Sequence, residues 1–237
     1  LLGLIIERFA YRPLREKPRL TALITAIGIS FALSYGFQLD ATVQVGGSKL
    51  TLLPGAASRA FPEIIPHAEW ARFGDPETGV IIWNYQVISL LVASLMMVGL
   101  QVLVFKTRFG RAMRAVSYDH RTAALMGIPV DRVIAVTFML GSGLAACAGL
   151  LYAIKDTAVQ PLMGMNVGLK AFVAAVIGGI GHVPGAVVGA LALGFCEELI
   201  VASSGSSWRD AVAFGFLIVV LLVRPEGLFG RAQAEKV

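Results

Sequence analysis

The sequence predicts an all-α, polytopic membrane protein: a helical bundle that contains a broken or re-entrant helix pair. Hydrophobic residues make up 57% of the 237 residues and charged residues only 15%. Soluble domains carry roughly 45–50% apolar and about 25% charged residues. Long uncharged runs alternate with short arginine-rich segments, and the mean hydropathy is +0.76. These observations favour membrane helices over a soluble helical core, which would place polar residues on every turn.

Six membrane spans are predicted, in the order of the chain. A bilayer-spanning helix needs about 20 predominantly apolar residues, and the first three runs reach that length without an internal charge. The predicted spans are residues 20–39, 85–105, 133–152, 168–181, 185–202 and 209–223. The opening stretch, residues 1–6, is too short to cross a membrane, and we expect it to be the tail of a helix that begins upstream, in a single transmembrane domain that is N-terminally incomplete.

Basic residues set the predicted orientation. Lysine and arginine concentrate on the cytoplasmic side of membrane proteins, and here they crowd two connecting segments. They are Arg8, Arg12, Arg15, Lys17 and Arg19 in the first, and Lys106, Arg108, Arg111, Arg114, Arg121 and Arg132 in the second. We therefore expect residues 106–132 and the C-terminus inside, and residues 40–84 in an extracytoplasmic loop. The alternation in VQVGGSKLTLLP predicts a small hairpin within that loop.

Other functional classes find little support in the sequence. The basic residues lie beside apolar runs, which is not typical of nucleic-acid binding. No GxxxxGK[ST] stretch is present, so nucleotide hydrolysis would need a partner. None of His67, His120 and His182 has a second ligand at metal spacing, and no metal site is predicted.

The stretch GGIGHVPG interrupts the fourth predicted span. Glycine tolerates positive φ and proline removes an amide donor, so the predicted break is formed by Gly178, Gly179, Gly181, Pro184 and Gly185. Either two spans meet at a cytoplasmic turn or the pair is a re-entrant hairpin. Broken helices favour a transport path over a simple anchor. Small residues four apart predict close helix packing: Gly141, Ala145 and Gly149, and Gly185 with Gly189.

The arginine-rich segment FGRAMRAVSYDHRTAALMGIPVDR, residues 109–132, predicts a short capped helix. Helical spacing puts Phe109, Met113, Val116, His120 and Ala123 on one side, and Arg111, Arg114, Tyr118 and Arg121 on the other. Asp119 is the predicted N-cap of a helix from His120 to Met126, Gly127 fits its C-terminal cap, and Asp131 is the expected cap of the next helix. Two interpretations stay open: a helix lying on anionic lipid, or a rigid docking element for a soluble partner.

The same segment, followed by TFMLGSGLAACAGLLY, resembles the cytoplasmic loop of permeases from ATP-binding-cassette importers. ERFAYRPLREKPRLTALITAIGIS, GLKAFVAAVIGGIGHVPGAVVGALALG and RPEGLFG are similar to the branched-chain amino acid importer permeases of the LivH type. The resemblance covers most of the chain, and its motifs are specific only collectively. Two departures are that the family's first helices are absent and that the outer loop is longer than expected.

The resemblance implies a coupling helix that docks into a groove on an ATPase subunit. Asp119 and Gly127 would fix the ends of this helix, and Ala123, Ala124 and Leu125 would fill the groove. Arg111, Arg114 and Arg121 would meet acidic or lipid groups around it.

The expected function is that of a non-enzymatic permease subunit in the inner membrane of a prokaryote, importing branched-chain amino acids. The implied partners are a second homologous permease, two ATPase subunits that hold ATP and magnesium, an extracytoplasmic substrate-binding protein and membrane lipid. This chain itself would hold no cofactor. Alternatives are a permease for urea, amides or other amino acids, and an ion-coupled secondary carrier.

The residues that carry the expected transport are less well defined. A zwitterionic cargo needs polar groups along its path, and the available ones are Thr137, Ser142, Gln160, Asn166 and Glu197. An intramembrane enzyme would use Lys155 with Asp156, Lys170, or Glu197 with Glu198, but no serine–histidine or paired-aspartate arrangement accompanies them.

Overall fold

The computed structural model describes residues 2–14, 19–45, 48–63, 65, 68–73, 80–179, 181–224 and 227–230. Arg15, Lys17 and His67, which the sequence interpretation used, lie outside the described residues, as do Ile180 and residues 231–237. The chain divides into two compact units, Leu1–Met163 and Gly164–Val237.

Helices dominate both units. In chain order they are α1 (Leu2–Ile6), α2 (Arg19–Gly36), α3 (Asn84–Lys106), α4 (Arg108–Tyr118), α5 (His120–Leu125), α6 (Val130–Asp156), α7 (Met163–Gly178), α8 (Val183–Ser204) and α9 (Arg209–Val223). A π-helix, Glu7–Tyr11, and a 3₁₀ turn, Arg12–Leu14, extend α1. The predicted all-α membrane architecture is therefore confirmed.

Four helical stretches within the described residues are long and apolar enough to cross a membrane: Asn84–Lys106, Val130–Asp156, Val183–Ser203 and Ser206–Val223. Ile24–Gly36 and Met163–Gly178 are shorter apolar stretches. The helix bounds depart most from the predicted spans at α7, which begins five residues before residue 168 and ends three before residue 181. The helix α6 begins three residues before residue 133 and continues four beyond residue 152. Polar residues at both helix ends explain the difference, because hydropathy marks the apolar interior and misses the capped ends.

The connection between α2 and α3 is built of short antiparallel strand pairs. β1 (Asp40–Val45) pairs with β2 (Ser48–Pro54), which confirms the predicted hairpin. β4 (Glu69–Phe73) pairs with β5 (Val80–Trp83), immediately before α3. β3 (Arg59–Ala60) pairs with β6 (Ala158–Val159), so this connection is hydrogen-bonded to the segment that follows α6.

In the first unit, α1 and its π-helical extension pack against α6. A Cβ atom added at Gly3 would overlap the Oγ atom of Ser142, and the rings of Tyr11 and Phe138 lie 4.9 Å apart. The backbones of the two segments approach closely at the glycine, as small residues permit between membrane helices. By contrast, a Cβ at Gly141 or Gly149 would meet no atom within 4 Å, so the packing role expected of those glycines is not seen in the described residues.

In the second unit, α7, α8 and α9 share one apolar core. Its buried members are Val173, Ala174, Ile177, Leu193, Ala213 and Val220. Glycine brings α8 onto α7: a Cβ atom at Gly189 would overlap the carbonyl oxygen of Ala174, and one at Gly178 would overlap the carbonyl of Gly185. The close packing predicted for Gly185 and Gly189 is thus confirmed.

The predicted break lies between α7 and α8, as expected. Gly179 and Gly181 have φ values of +98° and +92°, which strain any residue with a side chain. Pro184 falls in the first turn of α8, where its missing amide hydrogen costs nothing. The N-cap is His182, whose Nδ1 accepts a hydrogen bond from the amide of Gly185 at 3.0 Å. Whether this pair forms two spans or a re-entrant hairpin stays a prediction.

Residues 227–230, in the C-terminal segment, are hydrogen-bonded to the end of α7 at the break. The sequence did not indicate this contact. The amide of Leu228 donates to the carbonyl of Ile177 at 2.7 Å, and that of Phe229 to the carbonyl of Gly178 at 3.2 Å. The Phe229 ring stacks on His182 at 5.7 Å. Two carbonyls at the end of α7, which have no helical partner, are satisfied in this way.

The α7–α8 contact generates a stability test with an internal control. We expect Gly189→Ala to lower the free energy of unfolding by about 1–3 kcal/mol, because the new methyl group forces the two helices apart. Gly194→Ala, in the same helix, adds its methyl where no atom lies within 4 Å. It should be neutral or slightly stabilising, since alanine is the better helix former. Unfolding in mixed detergent micelles measures both, and equal losses would contradict the close contact.

Candidate functional site

The turn between α3 and α4 is fixed by three local contacts. Thr107 caps α4, its Oγ1 accepting a hydrogen bond from the amide of Gly110 at 3.0 Å. Gly110 is packed against the carbonyls of Leu103 and Val104, where a Cβ atom does not fit. Arg114 donates to the carbonyl of Val104 at 3.0 Å and its guanidinium lies 5.2 Å from the centre of the Phe105 ring. The side chain of Arg114 therefore contacts the end of α3, and its expected contact with groups outside the chain stays a prediction.

The short helix α5 has the predicted N-cap. Asp119 is extended, with φ −154° and ψ 115°, and separates α4 from α5. One oxygen of its carboxylate accepts from the amide of Arg121 at 2.9 Å and the other from the hydroxyl of Thr122 at 2.5 Å. The role predicted for Asp119 as an N-cap is confirmed.

The C-terminal end of α5 is also closed as predicted. The amide of Gly127 donates to the carbonyl of Ala124 at 3.0 Å, and that of Ile128 to the carbonyl of Ala123 at 3.1 Å. With a φ of +80° at Gly127, this is the Schellman arrangement, in which a left-handed glycine follows the last turn. A six-residue helix is only marginally stable in isolation, and the caps at its two ends stabilise it.

The capping role predicted for Asp131 is wrong. α6 begins at Val130, with Pro129 at its N-cap and no side-chain cap. Asp131 lies inside the first turn and forms an ion pair with Arg12 at 2.6 Å. The carboxylate still complements the helix N-terminus electrostatically, but its hydrogen-bond partner is 119 residues away.

A small apolar cluster holds α4, α5 and α6 together. Val116, Ala123 and Val133 are its buried members, and Phe109, Ala112, Met113, Ile128, Val130 and Ile134 pack against it. The predicted apolar side of the segment is confirmed except at His120, which is exposed because the chain changes direction at Asp119. Ala123 is 4% exposed. Its side chain is used inside this chain, which corrects the expectation that it fills a partner's groove.

The residues that follow Ala123 form an exposed apolar tip, made of Ala124, Leu125 and Met126. Leu125 is 87% exposed and Met126 78%. The sequence interpretation missed Met126, although its position just before the capping glycine could have indicated it. Arg111 and Arg121 are exposed, and neither forms an ion pair within the part of the chain that the structure describes.

The five polar residues proposed for a transport path fall in both units. In the first unit, Thr137 donates its hydroxyl to the carbonyl of Val133 at 2.7 Å, and Ser142 to that of Phe138 at 2.8 Å. These bonds stay within α6, so both hydroxyl hydrogens are satisfied by their own helix. Gln160 is exposed beyond β6.

In the second unit, Glu197 belongs to an ion-pair cluster that joins three helices. Lys170 of α7 lies 3.0 Å from Glu197 of α8 and 3.4 Å from Asp210 of α9. Glu197 is only 8% exposed. One carboxylate oxygen, Oε1, is buried without a hydrogen-bond partner among the described residues. Lys170, Asp210 and Asn166 also line a small cavity of about 50 Å³.

A second pair lies beside this cluster. Arg209 of α9 contacts Glu198 of α8 at 2.9 Å. The sequence interpretation named Lys170, Glu197 and Glu198 but missed Asp210 and Arg209. Two charges at the start of an apolar helix were the available signal, because charged groups near a membrane span need partners.

Comparison with known proteins gives one consistent result. Residues 1–221 match the family described as the permease component of branched-chain amino acid transport systems. The chain is 40% identical over 235 residues to the high-affinity branched-chain amino acid transport system permease protein LivH of Escherichia coli K12, covering 99% of this chain and 72% of that protein. It is 40% identical over 236 residues to BraD of Pseudomonas aeruginosa, a permease protein of the same description, with the same shares covered. The L-arabinose transport system permease protein AraH of Escherichia coli is 31% identical over 163 residues, covering 66% of this chain and 46% of that protein. No solved structure matches the chain.

The buried ion pair predicts an asymmetric mutational response. Lys170→Met leaves the carboxylate of Glu197 buried and unpaired, and we expect a loss of about 3–5 kcal/mol in the free energy of unfolding. Lys170→Met combined with Glu197→Leu should recover most of this loss, because two apolar side chains replace two paired charges.

The matched control is Asp210→Asn. The side chain of Asp210 is 69% exposed, so its pairing with Lys170 is worth no more than about 1 kcal/mol. Unfolding of the three variants in mixed micelles distinguishes these cases. If the double variant is as unstable as Lys170→Met, the loss does not come from leaving the carboxylate of Glu197 unpaired, and the prediction is wrong.

Proposed function

The chain belongs to the permease family of branched-chain amino acid transport systems, and we propose on that basis that it is the membrane-spanning subunit of an ATP-driven importer of leucine, isoleucine and valine. Its likeness to LivH and BraD extends over 99% of its length. The proposal places the chain in the inner membrane of a prokaryote, as a multi-pass protein.

The observation that carries the proposal is the apolar tip on α5. A helix this short transmits a force only if it moves as a unit, because coupling between sites needs an element with defined states. Asp119 and the Schellman turn at Gly127 fix its ends, and Ala123 anchors it to α4 and α6. Since α6 is long enough to span the membrane, movement of the tip is passed directly to a membrane helix.

The tip has the composition of a protein-binding surface. Leu125 and Met126 present apolar area that is unfavourable in water, and methionine is common at adaptable binding surfaces. Arg121 lies on the same helix as the tip and Arg111 on α4; both are exposed, and neither forms an ion pair within the described residues. An ATPase subunit with an apolar groove and an acidic rim would complement both features. In this proposal Ala124, Leu125 and Met126 enter the groove, and Asp119 and Gly127 act only by positioning them.

The remaining subunits follow from the same proposal. Two ATPase subunits would hold ATP and magnesium, because the 237 residues contain no phosphate-binding GxxxxGK[ST] stretch. A second, homologous permease would complete the channel, and an extracytoplasmic binding protein would deliver the amino acid. This chain would hold no cofactor and catalyse no reaction.

The cargo is zwitterionic and needs polar contacts while it crosses. Among the polar residues considered, Asn166 and Glu197 are the better candidates, because Asn166 lines a cavity and Glu197 has an oxygen without a partner in the described chain. The hydroxyl hydrogens of Thr137 and Ser142 are already donated within α6. Gln160, which is exposed, lies nearer an end of the path.

The coupling role is tested by placing a charge on the tip. We expect Leu125→Arg or Ala124→Arg to weaken binding of the ATPase subunit by at least about 30-fold, the effect of losing one apolar anchor worth about 2 kcal/mol. Amino acid uptake should fall with it, while membrane insertion is unchanged. Co-purification of the assembled transporter and uptake of labelled leucine measure the two effects.

The control is Ser117→Arg, which adds the same charge at an exposed position of α4, outside the tip. This variant should assemble and transport normally. If the ATPase stays bound to Leu125→Arg and uptake is unchanged, the tip does not couple to the ATPase, and α5 is a lipid-facing surface helix.

The proposed orientation is tested by labelling. Cys147 and Cys196 are first replaced by alanine, because Cys147 is exposed. A single cysteine at Ser58, beside β3, should then react in intact cells with a membrane-impermeant maleimide, whereas a cysteine at Ser117 should react only after lysis. The reverse pattern would place the strand pairs inside and contradict the positive-inside orientation.

A further inference from the structure

A surface cavity of about 440 Å³ lies in the first unit, beside the start of α6. Its charged lining comes from two places: Glu7, Arg8 and Arg12 of the first helical segment, and Asp131 and Arg132 of the first turn of α6. Three guanidinium groups thus face two carboxylates. The transport function proposed above uses none of these residues.

The carboxylates of this cavity are already engaged, and two guanidinium groups are not. Arg12 pairs with Asp131 at 2.6 Å, and Glu7 is buried with a partner of its own. Arg8 and Arg132 are exposed, and within the described part of the chain neither forms a hydrogen bond or an ion pair. A site with two unpaired cations and satisfied anions attracts an anion, and paired guanidinium groups favour a phosphate because their donors match its oxygens.

The backbone around the cavity has an unusual form. Residues Glu7–Tyr11 make a π-helix, in which the amide of Arg12 donates to the carbonyl of Glu7. π-Helical turns are rare and occur frequently at functional sites. This wider turn places Glu7 and Arg12 one turn apart, so both line the cavity. Across from them, the N-terminus of α6 adds a partial positive charge.

The first helical segment also carries apolar side chains that no other part of the described chain covers. Leu2, Ile5 and Phe9 are exposed, Phe9 to 75%. They lie on the same segment as Arg8 and Arg12. Cationic groups beside exposed apolar groups match a ligand that has a phosphate at one end and hydrocarbon at the other, and basic pockets between cytoplasmic helix ends are known to receive lipid headgroups.

We propose that this cavity binds the phosphate headgroup of an anionic membrane phospholipid, with Arg8 and Arg132 as its ligands and the acyl chains against Leu2, Ile5 and Phe9. A free phosphate ion shares the headgroup chemistry but gains nothing from the apolar residues. The lipid also matches the positive-inside orientation, which sets Arg8 and Arg132 at the cytoplasmic headgroup level.

The test uses the full-length permease in its purified complex, delipidated and then titrated with phosphatidylglycerol, with bound lipid counted by native mass spectrometry. We expect Arg8→Gln/Arg132→Gln to weaken lipid binding about 30-fold, from about 1 kcal/mol for each charge near the lipid surface. Arg8→Lys/Arg132→Lys keeps both charges and loses only the matched guanidinium donors, so it should lose less affinity than the glutamine variant, which separates loss of binding from loss of folding. The charge-matched control, Lys106→Gln/Arg108→Gln, removes two exposed charges outside the cavity and should bind within about twofold of the unmodified protein.

Three outcomes would overturn the proposal. The first is equal phosphatidylglycerol binding by the glutamine variant and the unmodified protein. The second is an equal loss in the Lys106/Arg108 control, which would show attraction by net charge alone. The third is displacement of the lipid by an equal concentration of inorganic phosphate, which would make the site one for free phosphate. The readout is lipid binding, so its failure leaves the transport proposal intact.

Discussion

The constraint on which this structure depends is that helix ends near a membrane need partners for their backbone groups from within the chain. Hydrocarbon supplies neither donors nor acceptors, and each helix leaves four amides and four carbonyls unpaired. The chain meets this constraint at two interruptions of its helices. Around α5 it uses the carboxylate of Asp119 and the left-handed Gly127. Between α7 and α8 it uses the imidazole of His182 and the amides of Leu228 and Phe229.

The interruption at α5 and the one between α7 and α8 differ in whether they leave side chains exposed or pack helices together. At α5 the caps isolate a short helix and leave Leu125 and Met126 outside, where another protein can contact them. At the α7–α8 break the backbone is so crowded that Gly178, Gly185 and Gly189 leave no room for a methyl group. The first arrangement presents a rigid surface and the second brings two membrane helices into direct contact. The first is the contact that we propose for a partner subunit, and the second is a tightly packed pair of membrane helices.

Features with local causes could be predicted from the sequence, and features with distant causes could not. The cap at Asp119, the turn at Gly127 and the hairpin β1–β2 each depend on residues that are close in sequence, at most 14 positions apart in the hairpin, where Asp40 pairs with Pro54. The pairing of Asp131 with Arg12 spans 119 residues and that of Lys170 with Glu197 spans 27. Sequence periodicity also placed Ala123 and Ala124 together, although only the folded chain shows that one is buried against Val116 and the other is exposed. Which side of a helix faces inward depends on its neighbours as much as on its own pattern.

The arginines illustrate why a count of charges is a poor guide to their roles. The predicted orientation counts all of those in the two basic segments alike, yet the structure gives them different environments. Arg114 closes the end of α3, and Arg12 neutralises a carboxylate at the start of α6. Arg111 on α4 and Arg121 on α5 are exposed, whereas Arg8 and Arg132 line a cavity without a partner in the described chain. A guanidinium that is already hydrogen-bonded inside the protein has little affinity left for a ligand. In the two proposals, the arginines without a partner among the described residues are the ones that serve recognition, of a protein near α5 and of a phosphate near the start of α6.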